Sequence, residues 1–179
     1  MRVIAGELGG RRLRAPAGAA TRPTSDRVRE ALFSMLGDVS GAVLDLFAGS
    51  GALGIEALSR GATRALFVER DRRAAAALTA NLDRLELGPD RARLSINDAV
   101  SELRAARERA ETYDLVFIDP PYRDARRWTA ELPALVTPLL APHARLVGES
   151  DRRDVLELPG EELARRRYGD TVIKVNRNP

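Results

Sequence analysis

Between residues 42 and 119 one pattern recurs four times: a short apolar run, an acidic residue at or near its end, and a stretch with helical spacing. The runs are Ala42–Leu46, Arg64–Glu69, Ala92–Ile96 and Tyr113–Ile118. Runs this continuous read as strands buried on both faces, and strands that alternate with helices build a mostly parallel sheet. Ligands of such sheets bind beyond the carboxyl ends of the strands. The intervening helices are expected to run through Leu58, over 71–86 with Ala75, Leu78, Leu82 and Leu85 on one face, and over 99–110. Beyond them, 127–137 reads as a helix and 144–148 as extended. Residues 163–168 and 171–175 read as a closing hairpin turning at Tyr168-Gly169-Asp170. The expected fold class is α/β.

The first residues differ in character. Residues 2–14 read as a β-hairpin around the glycine-rich turn Gly6–Gly10, and 15–23 as an extended linker. Thr24 or Ser25 can cap a helix carrying Val28, Leu32 and Met35, and Gly37 is its expected stop. The chain thus divides into a small extension, 1–23, and a domain, 24–179. The net charge is only +3, yet residues 1–24 contain Arg2, Arg11, Arg12, Arg14 and Arg22 against the single acid Glu7. A basic arm on a near-neutral body suits an anionic partner, nucleic acid first.

A chain of 179 residues fits one domain. It has no cysteine, which excludes disulfides and thiolate metal sites, and no metal site is expected. The start lacks the apolar segment of a signal peptide, and no apolar run approaches the ~20 residues of a membrane helix. A cytoplasmic monomer without membrane contact is the expectation.

Gly49-x-Gly51-x-x-Gly54 follows the first strand, and Glu69 lies twenty residues beyond Gly49. This is the fingerprint of a dinucleotide site, so a nicotinamide oxidoreductase is one reading. Asp45 argues against it, because a carboxylate beside the turn repels pyrophosphate. The only His is His143 and the only Lys is Lys174, and neither ends an early strand where a hydride acceptor needs a proton donor. S-adenosylmethionine fits better, having an ammonium, a sulfonium and a ribose diol but no phosphate. Gly49 and Gly51 would permit close backbone approach. Asp45 would orient the ammonium, Glu69 would accept both ribose hydroxyls, and Asp98 would accept from the adenine amino group beside Ala99. Asp119 follows the fourth strand, so four acids end four successive strands.

Asp119 opens Asp119-Pro120-Pro121-Tyr122. Two prolines stiffen the segment and remove two donors. An exocyclic amine on a base is a weak nucleophile, because its lone pair is delocalised into the ring. The Asp119 carboxylate and the Pro120 carbonyl can each accept one of its N–H bonds and aim that lone pair at a methyl group. Tyr122 can stack on the base, a contact worth ~1–3 kcal/mol. Such a base must be unpaired or flipped out of its helix.

Several segments together resemble a known family, the bacterial 16S rRNA guanine-N2 methyltransferases of the RsmD type. They are RVIAG with GRRL (Arg2–Gly6, Gly10–Leu13), RPTSDRVREALF (Arg22–Phe33), LDLFAGSGALGIEALSRGA (Leu44–Ala62), VERD (Val68–Asp71), NL (Asn81, Leu82), DPPY and YGDT (Tyr168–Thr171). The likeness covers nearly the whole chain. RPTSDRVRE and the extended glycine loop are its most specific parts. Ile55 stands where Leu is commoner, and the Asp98 position takes Asn or Asp.

The resemblance implies a Rossmann-like, seven-stranded class I S-adenosylmethionine-dependent methyltransferase with a small N-terminal hairpin. It implies methyl transfer to N2 of guanine 966 in 16S rRNA, on the 30S subunit or an assembly intermediate. The expected catalytic residues are Asp119, Pro120 and Tyr122. Phe47, Ser50 and Arg70 join Asp45, Gly49, Gly51, Glu69, Asp98, Ala99 and Asp119 around the donor. Arg2, Arg11, Arg12, Arg14, Arg22, Arg29, Pro121, Tyr122 and Tyr168 are expected to meet the RNA, the helix around Asp26–Glu30 bordering the base pocket. The residues alone leave three rivals: N6-adenine methylation of DNA or RNA, the nicotinamide oxidoreductase, and a non-catalytic RNA-binding assembly factor.

Overall fold

The computed structural model describes residues 1–15, 25–121 and 125–179, the side chains of residues 125 and 126 excepted. Among the described residues seven strands form one sheet: β1 (Ala42–Asp45), β2 (Arg64–Val68), β3 (Ala92–Ser95), β4 (Tyr113–Ile118), β5 (Leu140–Asp151), β6 (Glu161–Tyr168) and β7 (Thr171–Arg177). Their order is β3-β2-β1-β4-β5-β7-β6. The first five run parallel, and β7 and β6 close the sheet antiparallel. The order reverses between β1 and β4, which leaves a crevice at their carboxyl ends.

Five α-helices among the described residues cover the sheet: α1 (Asp26–Leu36), α2 (Ala52–Ser59), α3 (Arg72–Arg84), α4 (Ala99–Glu108) and α5 (Ala125–Val136). Local chemistry sets their ends. Ser25 accepts the Val28 N–H at the start of α1, and Gly37, at φ +65°, ends that helix with its N–H on the Phe33 carbonyl. Asp71 caps α3 through the N–H groups of Arg73 and Ala74. Alternation along the strands sorts the core into two clusters. Val43, Phe67, Phe117 and Val147 face Leu32 and Phe33 of α1, Ile55 and Leu58 of α2, and Leu78 of α3. Leu44, Leu66, Val116 and Leu146 face Leu103 of α4 and Trp128 and Leu132 of α5.

The hairpin expected over 2–14 is reduced to one antiparallel bridge, Arg2 with Arg12. The Val3 N–H donates to the Arg11 carbonyl and the Gly10 N–H to the Val3 carbonyl. Val3 and Leu13 are buried in the first cluster, so this loop is part of the packed body. It lies on the face of α1 and α2 for a specific reason. Glu56 of α2 is fully buried, and its carboxylate accepts the N–H groups of Ile4 and Ala5 and the Arg60 side chain. Ser59 accepts the Leu8 N–H, and Asn81 exchanges two hydrogen bonds with the Arg14 backbone. The linker expected over 15–23 lies, from residue 16 on, outside the described residues. The expected strands and helices after it are present, with the closing strands longer than expected: β5 spans twelve residues where only 144–148 reads as extended, and β6 and β7 extend to Glu161 and Arg177.

Candidate active site

The strand order places Asp98, Glu69, Asp45 and Asp119 along one sheet edge, at or just past the ends of β3, β2, β1 and β4. Three of them share a face. Asp45 lies two residues past Val43, Glu69 two past Phe67 and Asp119 two past Phe117, so alternation directs all three to the α1–α2–α3 side. A fifth acid continues the row. Ile118 pairs with Gly148, so Asp119 and Glu149 are the next register neighbours, and Glu149 is two past Val147. Glu149 is 7% exposed. It sits beyond the extended segment expected from the sequence, and its place in the row depends on a long-range register.

The glycine loop joins β1 to α2. Gly49 and Gly51 both have positive φ, which favours glycine. A Cβ on Gly51 would meet Leu78 at 2.3 Å, and one on Gly54 would meet Phe67 at 2.3 Å, so α2 packs tightly on the sheet. A Cβ on Gly49 would meet nothing within 4 Å, and the loop is open above that residue. Glu69 fixes the loop: one carboxylate oxygen accepts the Gly49 N–H at 2.9 Å and the other the Asp71 N–H at 2.7 Å. Asp45 is buried and accepts the Gly54 N–H at 3.0 Å. Ser50 is buried, its carbonyl accepting from Asn81. Phe47 stacks edge-on against Trp128 at 5.0 Å on the other side of the loop. Arg70 is exposed beside Glu69.

Burial pushes the Asp45 carboxyl up to about 7, against the Gly54 hydrogen bond and with help from Glu69. Burial also raises Asp119 well above the ordinary range, and the charges of Glu149 and Asp45 act in the same direction. No described residue donates a hydrogen bond to the Asp119 carboxylate. Asp119 can therefore take a cation or an N–H donor, and the acid-lined edge would repel a phosphate. Asp98 caps α4, accepting the Ser101 N–H, and that bonding lowers its pKa. Ala99 behind it is buried, while Ile96 is 59% exposed between Glu69 and Asp98, an apolar surface that the sequence reading passed over.

Pro120 is buried and Pro121 partly so, behind Asp119. Tyr168 is partly buried at the turn before β7, on the same sheet edge. Arg11, Arg12 and Arg14 are exposed, and Arg2 is exposed and pairs with Asp26 at 3.5 Å. Arg29 departs from expectation. Its side chain is fully buried and donates to the Arg2 carbonyl and to Asp26, so it acts as a strut between α1 and the N-terminal loop rather than a surface contact for RNA. Tyr122 and Arg22 lie outside the described residues.

A family profile described as conserved hypothetical protein 95 matches residues 1–177. The chain belongs to this family, the RsmD type. It is 45% identical to YlbH of Bacillus subtilis over 187 aligned residues, which cover 98% of this chain and 97% of that one. It is 44% identical to ribosomal RNA small subunit methyltransferase D of Escherichia coli over 125 residues, 69% of this chain and 61% of that protein. The solved structure of YhhF from Escherichia coli superposes with a TM-score of 0.83 at 35% identity, covering 99% of this chain and 97% of that one. More distantly, SMU.776 in complex with SAH superposes with a TM-score of 0.71 at 17% identity, over 85% of this chain and 48% of that one. The fold of this RsmD-type chain is that of the class I S-adenosylmethionine-dependent methyltransferases.

Proposed function

We propose that this protein transfers a methyl group from S-adenosylmethionine to the exocyclic N2 of a guanine in small-subunit rRNA. The family and the acid-lined edge support an rRNA methyltransferase, and position 966 of 16S rRNA follows from the family resemblance. The observation that carries the choice of base is the pair Asp119 and Glu149, which follow the last paired residues Ile118 and Gly148 of adjacent parallel strands and whose charges interact.

The residues of the edge fit the donor. Asp45, with its raised pKa, suits an ammonium group, Glu69 a ribose diol, and Asp98 with exposed Ile96 an adenine ring. When bound, the donor supplies an electrophilic methyl on a sulfonium. Asp119 accepts one N–H of the target amine, and the Pro120 carbonyl accepts the other. The nitrogen lone pair then points at the methyl carbon, and orientation and electrostatics supply much of the rate. On transfer the N–C bond would form as the donor's S–C bond breaks, the electron pair of that bond staying on sulfur. The surplus proton leaves the nitrogen towards Asp119, whose raised pKa suits it to receive one.

Guanine offers two neighbouring donors, N1–H and N2–H. Adenine offers an amine beside an N1 lone pair. Two adjacent carboxylates match guanine and oppose adenine, since Glu149 would face the N1–H in one case and a lone pair in the other. The test is methyl transfer from labelled S-adenosylmethionine to 30S subunits from cells lacking the endogenous enzyme, followed by nucleoside analysis. Label in N2-methylguanosine at one position supports the reading. Label in N6-methyladenosine overturns the base, and no transfer with donor binding intact overturns the substrate.

A further inference from the structure

The same face of the sheet continues past Glu149. Glu149 pairs with Ile173 of β7, and Ile173 pairs with Arg166 of β6. Ile173 belongs to the first core cluster, and Ala164 and Tyr168, each two residues from Arg166, pack against that cluster. Alternation therefore places Arg166 on the face that carries Asp45, Asp119 and Glu149. Asp119, Glu149, Ile173 and Arg166 form one line across four strands near the carboxyl edge. With neighbouring strands about 4.8 Å apart, Arg166 begins roughly 10 Å from Glu149.

Charge is graded along β6. Its distal acids are matched: Glu161 pairs with Arg177, and Glu162 with Arg165 and Lys174. The end near the site carries Arg166 and Arg167. Arg166 donates to the Arg165 carbonyl and Arg167 to the Gly169 carbonyl, and neither has an acidic partner among the described residues. An edge strand needs charge to discourage pairing with another sheet, and lysine or arginine anywhere along it would do that. That need does not explain why the uncompensated arginines gather at the end beside the acids. An acid-lined crevice repels RNA phosphates, so a polynucleotide entering it needs cations at its rim.

We infer that Arg166 forms a second RNA-docking site, which binds the phosphodiester backbone flanking the target nucleotide while the base enters the crevice at Asp119. The N-terminal loop, with Arg2, Arg11 and Arg12, holds the RNA from the α1–α2 side, and the end of β6 holds it from across the site. This inference rests on the rRNA reading above.

The test uses the full chain and 30S subunits lacking the modification. Arg166→Glu is compared with Arg84→Glu, the same charge change at the end of α3, far from the carboxyl edge. Arg166→Ala and Arg166→Lys complete the series. Expected for Arg166→Glu and Arg166→Ala are a raised KM and a loss of about one unit from the slope of log KM against log salt, with S-adenosylhomocysteine affinity unchanged. Arg166→Lys should keep the slope, and Arg84→Glu should change nothing. An unchanged slope in Arg166→Ala, or an equal change in Arg84→Glu, overturns the inference. If the wild-type protein labels no rRNA, the functional reading itself has failed, and this inference falls with it.

Discussion

The Glu56 carboxylate accepts the Ile4 N–H at 2.7 Å, across fifty-two residues of sequence and inside the core. It also accepts the Ala5 N–H at 3.1 Å and Arg60 at 2.7 Å. The N-terminal loop is therefore fastened to the helix that follows the glycine loop.

Glu56→Ala should be among the most damaging single changes outside the site. It leaves two backbone donors and Arg60 without their acceptor, a loss of roughly 3–5 kcal/mol for breaking a buried charged network. Denaturant unfolding would show it as a lower midpoint. A loss below 1 kcal/mol would mean that the loop is held by Val3 and Leu13 alone.

Asp45 couples stability to function in opposite senses. Its carboxyl is raised from 3.8 to about 7, so the folded, unliganded protein holds a proton there that the unfolded chain has released. Stability from this group is present at low pH and declines as pH rises between about 4 and 7. Asp45→Asn should therefore stabilise the unliganded protein at pH 8, by roughly 1–4 kcal/mol, with little change at pH 4. Under the proposed function donor binding has the reverse dependence. A bound ammonium favours the ionised carboxylate, so affinity should weaken as pH falls below 7, and Asp45→Asn should weaken it throughout and flatten the profile. Thermal unfolding and calorimetric titration with S-adenosylhomocysteine, each at pH 4, 6 and 8, measure both.

Glu69→Gln separates two tasks of one side chain. The carboxylate holds the Gly49 and Asp71 N–H groups, and under the proposed function it also accepts the ribose hydroxyls. The amide retains one acceptor and loses the charge. Donor affinity should fall by ~1–3 kcal/mol, from the loss of a charged acceptor, and the melting temperature should fall as well, because one of the two backbone N–H groups loses its acceptor. Unchanged affinity would place the ribose elsewhere.

Much of this was legible in the sequence because the signals are local. Continuous apolar runs and their helical partners define the sheet from β1 to β4, and acids just past strand ends mark its edge. Glu149 escaped because the pattern of 144–148 gives out before it, and only pairing with β4 brings it beside Asp119. Arg29 misled for a similar reason. In a charged helix an arginine reads as solvent-facing, and its burial is decided by a loop packed over it from elsewhere in the chain. Glu56 did leave a local mark, a lone acid within the apolar stretch Ala52–Ser59. Its donors come from residues 4 and 5, which no helical periodicity connects to it.

The acid pair allows a sharper test of base choice than loss of activity. Asp119→Ala should abolish transfer while leaving donor binding largely intact, because the amine loses the acceptor that orients it. Glu149→Gln should act on selectivity. 2-Aminopurine keeps the N2 amine of guanine but carries a lone pair at N1. Small subunits reconstituted with 2-aminopurine at the target should be poor substrates for the wild-type protein, because Glu149 would face that lone pair. In Glu149→Gln the amide can donate to it, so guanine should lose and 2-aminopurine gain. The ratio of the two rates should shift by about tenfold or more, on the scale of one lost base-edge hydrogen bond. Equal wild-type rates on guanine and 2-aminopurine would show that N1 is not read by an acid at all. A ratio unaltered by Glu149→Gln would assign that reading to another residue.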